Sequence, residues 1–172
     1  PPSAPPLAPG NTDRMFCRAE FERIQTELGR AFTLDAACND AGDNAHCERY
    51  CCPSRSFLEH DCAGEHVWVN PPYTPQMPKW VRHYMQCKAR NPRNTSAVFV
   101  VPDWPSVNAC FEKAGMRLFK QYPVGTVLFS APNENGTGRS MLPGVKWPVR
   151  VWYDPPAKYV AQLRATSLGV TN

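Results

Sequence analysis

The apolar run Val67-Trp68-Val69 stops abruptly at Asn70-Pro71-Pro72-Tyr73. Two consecutive prolines lock φ and remove two backbone donors, so the chain can continue here neither as a helix interior nor as a central strand. The residue before a proline is itself pushed toward extended geometry, so Asn70 is expected to close a buried strand. The tetrapeptide then forms a rigid corner at the strand's carboxyl end, where open α/β sheets bind their ligands.

The flanking sequence alternates strand and helix patterns. Phe16, Phe21, Ile24 and Leu28 have near-helical spacing, with Thr12 or Asp13 as a cap and Gly29 as a stop, which predicts a helix up to residue 29. Residues 31–35 read as a short buried strand ending in Asp35. Residues 38–65 are rich in Asn, Asp, Gly, Cys and Ser without sustained periodicity, and predict loops with a short helix around 45–50. Strands are expected at 66–69, 96–101, 125–130 and 149–153, and helices at 78–89 and 107–119. A loop over 132–146 joins the last two strands. This order predicts an α/β domain over residues 13–156, with a mostly parallel sheet and an antiparallel C-terminal hairpin. Residues 1–12 are expected to be a proline-rich linker and 157–172 a tail, in a piece cut from something longer.

Composition narrows the function classes. No stretch reaches the ~18 consecutive apolar residues of a membrane helix, and the first residues lack the order of a secretion signal. No membrane partner is expected, and a nuclear or cytoplasmic setting is. The formal charge is +4. Lys79, Arg82, Lys88, Arg90 and Arg93 follow the proline corner closely; they suit either a phosphate backbone or a solvated helix face. The chain has 8 cysteines. Cys38, Cys47, Cys51, Cys52 and Cys62 crowd one region with His46, His60 and His66, but no Cys-x-x-Cys pair is present, so reduced thiols are expected rather than a zinc site or a disulfide framework.

The corner residues suit one kind of chemistry. An exocyclic amine on an aromatic ring is a poor nucleophile because its lone pair is delocalised, and two fixed acceptors can draw it toward tetrahedral geometry. The Asn70 side-chain oxygen and the Pro71 carbonyl can accept its two N–H groups. Pro71 and Pro72 hold that carbonyl in one direction, and Tyr73 can stack on a base flipped out of a duplex. The bland alternative is a Pro-Pro turn closing a strand. Asp154-Pro155-Pro156 follows another apolar strand, but Ala157 replaces the aromatic, so that copy reads as a terminal turn. Asp35 is a candidate for the ammonium or ribose hydroxyls of a nucleoside cofactor, although no glycine-rich loop follows it. Asp61, or equally Glu59, can take an adenine amine. Trp68, Trp80, Trp104, Trp147 and Trp152 read as packing residues, and His83 as a surface or satisfied core histidine.

Phe32-Thr33-Leu34-Asp35-Ala36-Ala37, Asn44-Ala45 and Val67 to Tyr73 together resemble the phage-type DNA N6-adenine methyltransferase family. The downstream Val100-Val101-Pro102, residues 125–129 and Trp147 to Tyr153 resemble the version of that domain carried by eukaryotic retroelement polyproteins. The resemblance covers roughly residues 13–156. It implies a reduced Rossmann-like class I methyltransferase fold, S-adenosylmethionine as cofactor, and adenine in DNA as the acceptor. It implies Asn70, Pro71, Pro72 and Tyr73 as catalytic residues and Asp35, Ala36, Phe16 and Asp61 around the cofactor, with other domains of a longer polyprotein as neighbours. Met15-Phe16-Cys17-Arg18-Ala19 stands where the family often has Trp-x-Thr-Pro, and Phe16 is expected to substitute there by packing on the methionine moiety. Two alternatives compete with this reading: a nucleic-acid-binding module that keeps the fold without methyl transfer, and a zinc-stabilised interaction domain.

Overall fold

The computed structural model describes residues 13–160. The linker expected at 1–12, with the Thr12 cap, and most of the expected tail lie outside these residues. In chain order the elements are β1 (Met15–Phe16), α1 (Arg18–Leu28), β2 (Leu34–Asp35), a 3-10 turn (Phe57–Glu59), β3 (His66–Val69), α2 (Met77–Arg90), β4 (Ser96–Pro102), α3 (Pro105–Lys113), β5 (Arg117–Tyr122), β6 (Phe129–Pro132), β7 (Arg139–Met141) and β8 (Val149–Asp154).

Five strands form the main sheet in the order β2-β3-β4-β8-β5. β2, β3 and β4 are parallel, whereas β8 runs antiparallel to both β4 and β5. The sheet is therefore mixed, not mostly parallel. β4 is its centre, buried at all seven positions. Side chains alternate across a strand, and β4 divides accordingly. Ala97, Phe99 and Val101 face a core with Val81, Tyr84 and Cys87 of α2 and Phe111 of α3. Val98 and Val100 face the opposite core, with Phe16, Phe21 and Ile24. A continuous apolar run on β4 is thus explained by burial on both faces.

Four expectations are corrected. The first helix begins at Arg18, because Met15 and Phe16 pair with Ser130 and Phe129 in a second, antiparallel sheet ordered β1-β6-β7. Residues 45–50 are not helical, and the short helical turn of this region lies at Phe57–Glu59. The helix expected over 107–119 ends at Lys113, and Gly115, with φ 74°, turns the chain into β5. That conformation is cheap only for glycine. The last two strands expected from sequence do not form a hairpin. β6 pairs with β1 and β7, whereas β8 inserts between β4 and β5.

Asp154, at the end of β8, accepts hydrogen bonds from the Tyr84 hydroxyl (2.5 Å) and Lys88 Nζ (2.6 Å). The second Pro-Pro sequence is thus tied to α2 as a strand terminus. No helix among the described residues is long and apolar enough to cross a membrane.

Candidate active site

Parallel β2 and β3 end side by side, and a cleft of about 930 Å³ opens at their carboxyl ends. Ala36, Ala37, Cys38 and Asn39 after β2 form one side, and Asn70 to Tyr73 after β3 form the next. The strap Leu142 to Trp147 and Phe129 of the small sheet form the far wall. The volume is at the upper end of the range for sites that enclose a small molecule.

The proline corner presents two acceptors. Asn70 Nδ2 donates to the Arg14 carbonyl (3.4 Å), which leaves Oδ1 without a protein donor among the described residues. The Pro72 carbonyl is occupied by the Thr74 N–H (2.9 Å), whereas no backbone N–H among the described residues reaches the Pro71 carbonyl. The amide oxygen and the first proline carbonyl are the pair left over. Tyr73 lines the cleft with its ring edge-on to Trp104 and Phe129, 6.4 Å from each centroid. Its hydroxyl is buried without a partner among the described residues, and burial raises its pKa.

Of the expected cofactor residues, Ala36 lines the cleft and Asp35, Phe16 and Asp61 do not. Asp35 is 2% exposed and turns its carboxylate into the loop. Oδ1 accepts from the Ala37 N–H (3.1 Å) and Oδ2 from the His46 N–H (2.8 Å). Burial pushes its pKa up, while those two N–H groups and the Arg18 charge oppose the shift. Asp35 therefore holds the loop that carries Ala36 to Asn44, and its carboxylate is not part of the cleft wall. Phe16 is fully buried against Trp68 (5.2 Å) and Phe129 (5.8 Å). Asp61 is exposed and paired with Arg90 at 2.6 Å. Glu59 is not among the lining residues either.

Sequence reasoning missed several wall residues. Asp13, one of the two candidate helix caps, lines the cleft and accepts from Asn39 Nδ2 (3.0 Å), Asn44 Nδ2 (2.8 Å) and Arg139 Nη2 (2.9 Å). Burial pushes its carboxyl upward, but these hydrogen bonds and the Arg139 charge outweigh that and hold it below the usual carboxylate range. Trp80 and Trp147, read as packing residues, also line the cleft. Only the aromatic content hinted at them, and five tryptophans were equally eligible. Gly144 in the strap passes so close to Gly125 that a Cβ would lie 2.1 Å from its carbonyl oxygen.

The basic stretch divides in two. Lys88 is committed to Asp154 and Arg90 to Asp61, whereas Lys79, Arg82 and Arg93 are exposed. The cysteines are free thiols, and burial pushes the cleft-lining Cys38 up to about 12. No group of three or more His, Cys, Asp or Glu residues converges on a metal position among the described residues. His83 Nε2 lies 2.7 Å from the His60 carbonyl.

Among curated proteins no match to the chain is found. Residues 17–113, more than half of the chain, match the family model described as DNA N-6-adenine-methyltransferase (Dam). That match spans the β2 loop, the proline corner and the helix behind it, so the chain belongs to the DNA N-6-adenine-methyltransferase family.

Proposed function

We propose that this domain transfers the methyl group of S-adenosylmethionine to the N6 amine of adenine in DNA. The observation that carries this reading is the pair of unoccupied acceptors, Asn70 Oδ1 and the Pro71 carbonyl, on the wall of a cleft large enough for a nucleoside donor. An exocyclic amine has two N–H groups to give them. Its lone pair is then directed away from the ring and toward whatever lies opposite. S-adenosylmethionine, when bound, supplies an electrophilic methyl on a sulfonium.

The donor set fits such a cofactor. The wall offers backbone and amide groups at Ala36 to Asn39, one carboxylate at Asp13, and aromatic surface at Phe57, Trp80 and Trp147. Asp35, buried behind this wall, keeps the loop in place through its two backbone hydrogen bonds. Tyr73 supplies a flat ring for a base extruded from the duplex, because the amine cannot be reached inside a helix. Exposed Lys79, Arg82 and Arg93 supply counter-charge for the phosphates. The β2-β3-β4 parallel core with binding at its carboxyl ends is the basis for a reduced Rossmann-like assignment. A place within a retroelement polyprotein, in a compartment holding DNA, rests on the similarity of residues 125–129 and Trp147 to Tyr153 to such domains.

The test is incubation with radiolabelled S-adenosylmethionine and mixed-sequence DNA, followed by nucleoside analysis. Label in N6-methyladenine with wild type, reduced about 10²-fold or more by Asn70→Ala, is the expected outcome. Label in cytosine, or equal incorporation by both proteins, overturns the assignment.

A further inference from the structure

Asp13 is the one acidic side chain among the described residues that line the cleft. It lies ahead of the family-matched segment 17–113. Three groups distant in sequence converge on it: the amides of Asn39 and Asn44 from the loop after β2, and the guanidinium of Arg139 from β7. A carboxylate has about four acceptor positions, so three bonds leave it able to accept again. The side chain is 26% exposed and lines the cleft. Arg14, the next residue, lends its carbonyl to Asn70 Nδ2, so Asp13 is placed close to the reacting end of the site.

S-adenosylmethionine carries two positive centres, the sulfonium and the α-ammonium. Methyl transfer requires the sulfonium opposite the acceptors at Asn70 and Pro71. The ammonium, at the end of a short flexible arm, needs an anion elsewhere in the wall, and the other charged lining residues, Arg14 and Lys146, are cations. We propose that Asp13 receives the α-ammonium of the methyl donor, a role that rests on the reading of the cleft as a donor pocket. Asn39, Asn44 and Arg139 orient the carboxylate, and the loop after β2 is thereby registered against β7 across the mouth of the site.

Calorimetry with two ligands separates this role from that of a structural brace. S-adenosylhomocysteine has the amino-acid arm, whereas 5′-methylthioadenosine keeps the adenine and ribose without it. Wild type should prefer the former by about tenfold or more, and Asp13→Asn should close most of that gap while binding of 5′-methylthioadenosine changes less than about twofold. An equal loss for both ligands identifies a brace or a ribose contact and overturns the proposal, as does an undiminished gap. Should Asp13→Asn fail to fold, wild type is compared on S-adenosylhomocysteine and its deaminated analogue. A weakening of about tenfold supports the ammonium contact, and equal affinity overturns it. If wild type binds none of these ligands, the donor reading fails first and Asp13's role falls with it.

Discussion

Acid should unfold this protein in a way that one substitution isolates. His46 is buried and stacks on Phe21 at 4.3 Å, with an interplanar angle of 15°, and neither ring nitrogen has a hydrogen-bond partner among the described residues. Burial, aided by the Arg18 charge, pushes its pKa down from 6.5 to about 4. The Phe16 carbonyl favours the proton slightly but lies outside hydrogen-bonding geometry. A base with a depressed folded pKa stays neutral in the native state while the unfolded chain binds a proton. Its contribution is therefore present above pH 6.5 and is lost as pH falls toward 4. From pH 7 to pH 5 the cost for His46 comes to about 2 kcal/mol, at about 1.4 kcal/mol per pH unit once the unfolded histidine is charged. Buried His66, stacked on Phe32 and bonded to Ser96 Oγ through Nδ1, is pushed by burial to about 3 and adds a similar amount over the same interval. Asp35, raised by burial, works in the opposite sense, so the sum over the whole protein is less informative than a difference. His46→Phe keeps the stack and sacrifices no hydrogen bond. Urea denaturation followed by tryptophan fluorescence at the two pH values should show wild type losing about 2 kcal/mol more than His46→Phe between pH 7 and pH 5. Equal losses would mean that His46 is already protonated or solvated in the native protein, and the burial argument would be wrong.

Other expectations follow from the same contacts. Tyr73→Phe removes a buried hydroxyl without a partner among the described residues and should stabilise the fold by about 1 kcal/mol, read as a higher urea midpoint. Phe99→Ala, at the centre of β4, should cost about 3–5 kcal/mol in the same assay, because the cavity between Tyr84 and Phe111 cannot collapse. Arg82→Ala should lower the slope of log DNA affinity against log salt by roughly one with stability unchanged. Lys88→Ala should instead destabilise by about 2 kcal/mol and leave that slope alone, because Lys88 serves Asp154. Gly144→Ala should displace the strap and weaken ligand binding, measured by calorimetry, because a Cβ there meets the Gly125 backbone.

The proline corner was legible because its information is local. Two prolines after a β-branched and aromatic run specify a strand end and an immobile carbonyl whatever surrounds them, and the strand, corner and helix from His66 to Arg90 lie where the pattern put them. The continuous apolar run of β4 likewise announced a strand, and its burial between two cores is the reason the run is unbroken. Asp35 was found as the end of a strand, but not its orientation. Whether a carboxylate faces a cleft or its own loop depends on which N–H groups arrive, and the N–H of His46 comes from a loop with no periodicity to read.

What remained needed partners distant in the chain. Strand pairing is a choice among edges, and nothing within residues 149–154 says that they enter between β4 and β5 rather than beside β6. Asp13 next to Met15 and Phe16 satisfies the local criteria for a helix cap. Only the pairing of those two residues with Phe129 and Ser130 draws the segment straight and delivers Asp13 to Asn39, Asn44 and Arg139. Local stereochemistry is written residue by residue, whereas the closing of the cleft depends on long-range burial and hydrogen bonding that no short window of sequence contains.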